Sequence, residues 1–493
     1  MKQAIRPGSF FVFGLLDLDV HLSWVLDQGV SGILLFSNLV IDEQSLDSAV
    51  KAIFDLSHKK GLKNTPALIV DQEGGVVRRI KDEVLDFPSS YAIGSIGSLN
   101  KARMVGRLTG EYLRRKGLDW NLAPCADVVT AIEDQCIATR SFGDDFRLVS
   151  LYAHAFYQGQ RKAGIISTAK HFPGHGFVSE DSHAQLPVVN THLSKDKFLD
   201  SFLKPFSFLI KKDIETIMPA HVVYPFLDPD NPATFSMLII KELLRDKLGY
   251  NGVVISDDLT MQGALVRYAS DIGRASIDAF NVGCDLLCVG LDESMQQRSL
   301  ANFSMELEDG NISPSRIEYS LRKISTLNDI IYKLRKKCRF KTCQSWFVRK
   351  TKNYPKKMAR EVVKISDGHN VLPYKICDSK PFYVYETQGS PLFINILISE
   401  GLCPEPIDIY DLQEEVPMPQ DDEAALIRLG VPIFLNKLKM FVDHMSKIKA
   451  RWCILSTGLM KDPPGELKEI PFVFTGSLTP LVLKEALHKI FTW

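Results

Sequence analysis

The stretch ALIVDQEGGVVRRI, residues 67–80, decides the fold. It begins with an unbroken apolar run, the composition of a strand buried on both faces, and the run stops at a carboxylate, Asp71. Gly74 and Gly75 then let the backbone turn tightly before Arg78 and Arg79. The same pattern returns along the first two thirds of the chain: short apolar or β-branched runs occupy residues 10–15, 32–36, 67–70, 118–122, 165–169, 216–218, 253–256 and 285–289. Between them, segments 101–116, 147–162, 197–212 and 237–248 place apolar residues three and four apart, the period of an amphipathic helix. Repeated βα units predict a parallel sheet, and this number of strands predicts a TIM (β/α)8-type barrel, an α/β fold with its helices outside. An open doubly wound sheet would also gather side chains at its strand ends; strand count and chain length favour the barrel.

The whole chain has 493 residues, more than one ordinary domain, and its 59 basic side chains equal its 59 acidic ones. With no net positive field, nucleic acid and anionic membrane are not expected partners, and a small neutral or mixed-charge molecule is. Nine cysteines, an odd number without a CxxC pair, suit a reducing, cytoplasmic compartment. Lys2 and Arg6 precede the apolar run 9–16 in the manner of a secretory signal, but that run ends in LDLDV without a small-residue cleavage site, so a buried strand is expected. No apolar segment is long enough to span a bilayer.

From Ser313 the segment SPSRIEYSLRKISTLNDIIYKLRKK opens with a Ser-Pro helix start and runs into basic residues as far as Arg360. The barrel domain is assigned residues 1–337, a solvated basic linker 338–357, and a smaller α/β sandwich 358–493. In this last part AREVVKI, PFYVYE, PIDIYD, RWCILSTG and PFVFTG resume helix and strand patterns around an acidic loop near residues 414–423.

Asp71, the Lys170/His171 pair, His221 and Asp257 all fall just beyond a strand's C-terminal end, the face on which barrel enzymes carry their chemistry. The segment KHFPGHGFVSEDSHAQLP, 170–187, concentrates titratable groups, and Pro173, Gly174 and Gly176 exclude a continuous helix there. His171 and His175 therefore do not share one helical face as metal chelation usually requires; a zinc site would need His171, His175 and His183 to converge by loop folding, and plain bonding to backbone is the other alternative. In an extended loop Asp181 and His183, two apart, project to the same side. The carboxylate can then fix the imidazole tautomer and raise its pKa toward a range useful for giving and taking a proton. In NGVVISDDLTMQGA a strand ends in Asp257 and Asp258; one should face the pocket while the other supports it or caps the next helix.

Taken together, KHFPGHG followed by DSH, VDQEGG with a downstream arginine, RSFG at 140–143, MPAH at 218–221 and SDDLTM resemble glycoside hydrolase family 3. The DSH loop is similar to that of its bacterial β-N-acetylglucosaminidases of the NagZ type. The resemblance implies an exo-acting retaining enzyme that removes terminal N-acetylglucosamine, chiefly from peptidoglycan fragments in cell-wall recycling, with a small-molecule glycan as its partner. It implies Asp257 as nucleophile, His183 with Asp181 as acid/base dyad, and Asp71, Arg79, Arg140, Lys170 and His171 as sugar-binding residues. No metal or organic cofactor is expected. The C-terminal half looks like a shortened form of the sandwich in two-domain relatives, with a structural or docking role. Two rivals stay open: a phosphorylase, since a histidine acid/base adds no charge to repel phosphate, and a non-catalytic sugar-binding protein.

Overall fold

The computed structural model describes residues 5–129, 136–176, 178, 185–189, 194–337, 353–366, 374–375, 382–386, 407–411, 424–429, 451–456, 472–475, 477 and 479–492. Eight strands form one parallel sheet: β1 (Phe11–Gly14), β2 (Gly32–Leu35), β3 (Ala67–Val70), β4 (Trp120–Asn121), β5 (Ile166–Phe172), β6 (Thr216–Pro219), β7 (Val253–Val254) and β8 (Leu287–Val289). Each lies on one of the apolar runs that sequence reading picked out. The sheet order β7-β6-β5-β4-β3-β2-β1-β8 follows the chain except that β8 returns beside β1. The sheet is curled, and its two edges approach each other: Ile255 bridges Leu286, and the Ser256 amide donates to the Leu286 carbonyl at 2.9 Å. This is a TIM-like α/β domain. Its strands are buried along their whole length, β1 to β3 and β5 without a single exposed residue, as strands covered on both faces must be. The run over residues 9–16 is part of this core, since Phe10, Phe11, Val12 and Phe13 are fully buried.

The helices lie where the periodicity predicts, with two instructive differences. Leu99–Arg115 and Phe146–Ala163 pack closely because Gly106 and Gly159 meet at their crossing; a Cβ on Gly106 would stand 2.2 Å from the Phe156 carbonyl oxygen. The expected helix 197–212 is broken into Lys195–Ser201 and Lys204–Ile210, because Pro205 has no N–H to continue the ladder and serves instead in the first turn of a new helix. The segment 237–248 is a helix, Leu238–Lys247, but wound as a π-helix, with the Leu248 amide reaching back to the Leu243 carbonyl.

The helix Pro314–Lys337 is clamped to the N-terminal ends of the strands by two buried carboxylates. Asp285 accepts from Arg245 Nη2 at 2.6 Å, Arg316 Nη1 at 3.3 Å, Ser320 Oγ at 2.7 Å and the Val254 amide at 2.9 Å. Asp119 accepts from Arg114 Nη1 at 2.8 Å, Arg335 Nε at 2.8 Å and the Leu68 amide at 2.9 Å.

Of the expected linker, residues 338–352 lie outside the described residues, and a helix, Tyr354–Val362, runs across its 357/358 end. It buries Met358, Ala359 and Val362 and packs on the short helices Ser90–Ser95 and Glu83–Leu85 of the first domain. Beyond it a six-stranded sheet has the order Lys364–Ser366, Phe472–Phe474, Arg451–Ser456, Ala424–Leu429, Phe382–Glu386, Ile407–Asp411, parallel apart from its first pair. The strand Ala424–Leu429, inside AALIRL, was not among the segments singled out from sequence.

Candidate active site

After β3 the chain forms a hairpin of two short strands, Gln72–Gly74 and Val77–Arg78. Gln72 holds it from within: its Oε1 accepts from the amides of Arg79 at 2.9 Å and Ile80 at 3.0 Å, while its own amide donates to Asn121 Oδ1 at 2.9 Å. Gly74 and Gly75 take positive φ of 101° and 59°, which the turn between the strands requires. The hairpin delivers Asp71, Glu73 and Arg79 to the C-terminal face of the sheet.

There they meet Lys170 from β5. Its Nζ stands 2.7 Å from Asp71 Oδ1 and 2.6 Å from Glu73 Oε1, and Arg79 Nη2 lies 3.5 Å from the other oxygen of Asp71. Arg140 pairs bidentately with Glu73, Nη2 at 2.8 Å and Nε at 3.1 Å, and donates from Nη1 to the Cys136 carbonyl at 3.1 Å. Burial pushes the Glu73 carboxyl up, but Arg140 and Lys170 outweigh it and hold it well below the usual carboxylate range. Burial pushes the Lys170 pKa down, but Asp71 and Glu73 outweigh it and raise it, so the ammonium stays charged.

His171 stands beside this cluster. Its Nδ1 lies 2.7 Å from Asp127 Oδ2, and Arg140 Nη2 is 3.2 Å from its Nε2. Burial, with Arg140 adding to it, lowers the imidazole's pKa despite the Asp127 carboxylate, so a neutral ring donates from Nδ1 and accepts at Nε2. Asp127 also receives the amides of His171 at 3.1 Å and His175 at 2.7 Å, which shapes the start of the KHFPGHG loop. Cys125, Asp127 and His171 offer three ligand atoms within 4.8 Å of one another, a group of metal-holding size. Their donor set is already spent internally: burial keeps the Cys125 thiol protonated, and it donates to Asp127 Oδ2 at 3.3 Å, the oxygen that His171 also bonds. The His171 and His175 rings meet edge to face, centroids 5.7 Å apart.

Asp257 and Asp258 divide as the strand geometry predicts. Asp258 turns into the protein, where its Oδ1 accepts from the Thr260 amide at 2.9 Å, Thr260 Oγ1 at 2.8 Å and the Gly290 amide at 2.9 Å. Asp257 accepts the Asp258 amide at 2.8 Å, its one hydrogen bond among the described residues. Burial pushes its carboxyl up, but His171, His221, Lys170 and that amide outweigh it and hold it at about 2. With both imidazoles neutral, Lys170 and the amide still favour the anion. His221 is one such neutral ring, its pKa lowered by burial; its Nε2 lies 3.2 Å from the Asp258 carbonyl, which can only accept, so that nitrogen carries the hydrogen. Its Nδ1 lies 2.8 Å from Thr234 Oγ1.

The structure thus gathers Asp71, Arg79, Arg140, Lys170, His171 and Asp257 at one end of the sheet. Asp181 and His183 lie outside the described residues. Sequence reading did not single out Glu73 or Asp127, and it left His221 as a strand-end residue without a role. Glu73 sits inside VDQEGG and His221 closes MPAH, so both carried a signal; Asp127 follows β4 by several residues and carried none beyond its place after a strand.

The profile of the glycosyl hydrolase family 3 N-terminal domain matches residues 16–327. The chain belongs to this family. It is 34% identical over 286 residues to a β-hexosaminidase of Methylobacillus flagellatus, 57% of this chain and 78% of that one. To a β-hexosaminidase of Bordetella pertussis it is 37% identical over 268 residues, 53% and 73% of the two chains. It superposes with a TM-score of 0.81 on the solved family 3 β-N-acetylglucosaminidase from Paenibacillus sp. str. FPU-7, over 99% of this chain and 96% of that one; at 22% identity this is a likeness of fold. As a member of family 3 the chain is a glycoside hydrolase. No helix among the described residues is long and apolar enough to cross a membrane.

Proposed function

We propose that this family 3 enzyme is a retaining exo-β-N-acetylglucosaminidase that removes terminal N-acetylglucosamine from small glycans, peptidoglycan fragments in a cytoplasmic recycling route among them. The observation that carries the reading is Asp257: an ionised carboxylate at the end of β7, beside Lys170 and His171, while its neighbour Asp258 is consumed by support. In the first step an Asp257 oxygen bonds to the anomeric carbon as the glycosidic bond breaks, and imidazolium His183, oriented by Asp181, gives its proton to the leaving oxygen. In the second step neutral His183 takes a proton from water, the water oxygen bonds to the same carbon, and the Asp257 ester breaks. Asp71 accepts from sugar hydroxyls while Lys170 and Arg79 donate to them. Arg140 has most of its donors committed to Glu73, Cys136 and His171, so it acts chiefly by fixing His171 and Glu73. The strands and helices before residue 337 act as a closed barrel, and the domain after residue 358 supplies no catalytic group.

A slow 5-fluoro N-acetylglucosaminyl donor tests this directly. Peptide mass mapping should find the sugar on Asp257; an adduct on Asp258, or full turnover with none, rejects the assignment. Product analysis in phosphate buffer distinguishes hydrolysis from phosphorolysis.

A further inference from the structure

The hairpin that carries the substrate-facing groups does not rest on the barrel alone. Arg78 ends the second strand of the hairpin and Arg79 follows it, and the two side chains take different partners: Arg79 lies beside Asp71, and Arg78 forms an ion pair with Asp86. The other oxygen of Asp86 accepts from the Leu481 amide at 2.9 Å, and Leu481 stands in the first turn of Pro480–Ile490, a helix of the second domain. Its N-terminal amides favour a carboxylate there. Ser89 repeats the arrangement three residues on: its amide donates to Ser477 Oγ of the second domain at 3.1 Å, and its Cβ would stand 2.7 Å from a Cβ placed on Gly75 at the hairpin turn. The Gly75 amide donates to the Phe87 carbonyl at 3.3 Å, and Tyr91 meets Phe474 edge to face, centroids 6.5 Å apart. Residues 86–91 are thus held between the hairpin on one side and the second domain on the other.

We propose that Asp86 is a positioning residue that transmits the seating of the second domain to the substrate-binding hairpin. It joins the Leu481 amide to Arg78, and by fixing Arg78 it fixes the adjoining Arg79 and, across the hairpin, Glu73. The role of this contact in catalysis rests on the reading of Asp71 and Arg79 as sugar-binding, but the mechanical coupling does not.

Two variants of the full chain test it. Asp86→Asn weakens the pair with Arg78. Leu481→Pro removes the donating N–H from the other domain, together with the half-buried leucine side chain, in the first turn of the helix, where proline's missing N–H breaks no helical bond. Hydrogen–deuterium exchange over residues 72–80 should rise in both variants while β5 and β6 stay protected, and KM for an aryl N-acetylglucosaminide should rise by roughly tenfold, the worth of one charge-assisted bond, with kcat changed by less than about threefold. Unchanged exchange over residues 72–80 in the folded Leu481→Pro protein overturns the proposal, as does faster exchange with KM unaltered. Should the unaltered chain fail to turn over the substrate, the functional reading falls and the exchange comparison alone decides the coupling.

Discussion

The two ends of the curled eight-stranded sheet hold the same kinds of residue in opposite conditions. At the N-terminal end Asp285 and Asp119 are surrounded by arginines and amides that spend their oxygens on the fold. At the C-terminal end Asp257 has one amide partner among the described residues, yet it is held ionised in a half-buried setting. A buried carboxylate by itself says little about function. What separates the two ends is whether the charge is consumed by neighbours or only balanced by them, because a balanced and unconsumed oxygen retains lone pairs for a reacting carbon.

The largest effect that would break this contrast is at Asp257. Asp257→Ala should lower turnover of an aryl N-acetylglucosaminide by at least ~10³-fold, since no covalent intermediate can form, while the thermal midpoint is kept. Asp258→Ala should do the reverse: it strands the Thr260 and Gly290 donors and costs about 1–3 kcal/mol of stability by urea unfolding, with a far smaller loss of rate per folded molecule. Equal rate losses from the two would erase the distinction.

At the other end Asp285→Ala leaves the half-buried Arg245 and Arg316 charges without their buried carboxylate. Unfolding in urea should show a loss of about 3–5 kcal/mol, and kcat per folded molecule should not change. A drop in kcat would mean that the clamp reaches the active face.

A pH-dependent effect concerns Glu215, next to β6 at the N-terminal end, whose carboxyl burial raises to about 7 although its own backbone amide, Arg161 and hydrogen bonds from Tyr157 and Ser167 oppose it. The folded protein keeps this proton up to about pH 7, whereas the unfolded chain releases it near 4.5. Stability from this group is therefore full below about pH 4.5 and declines as pH rises to 7, by up to about 3 kcal/mol. Glu215→Gln should flatten the thermal midpoint between these pH values and leave the variant more stable than the parent at pH 8. A parallel decline in both proteins would assign the pH dependence elsewhere.

How much of this could be read from sequence follows from the range of the interactions. Strands announce themselves through contiguous burial, so β3 and its terminal Asp71 were legible from ALIVD alone, and the alternation of side chains at a strand end was enough to expect that Asp257 and Asp258 would part roles. The broken helix at Pro205 was equally local and went unread only because apolar periodicity continues across the proline. By contrast, the pairing of Lys170 with both Asp71 and Glu73, the Asp127 carboxylate under His171, and the Asp86 contact with Leu481 join residues far apart in the chain. No periodicity or spacing encodes such partners, because they are chosen by how strands are ordered in the sheet and how the second domain lies on the first. The sequence by itself determined which residue types stand at the strand ends; only tertiary structure decided which of those charges neutralise each other and which one is left available, since that depends on distances of a few ångströms between segments that share no local pattern.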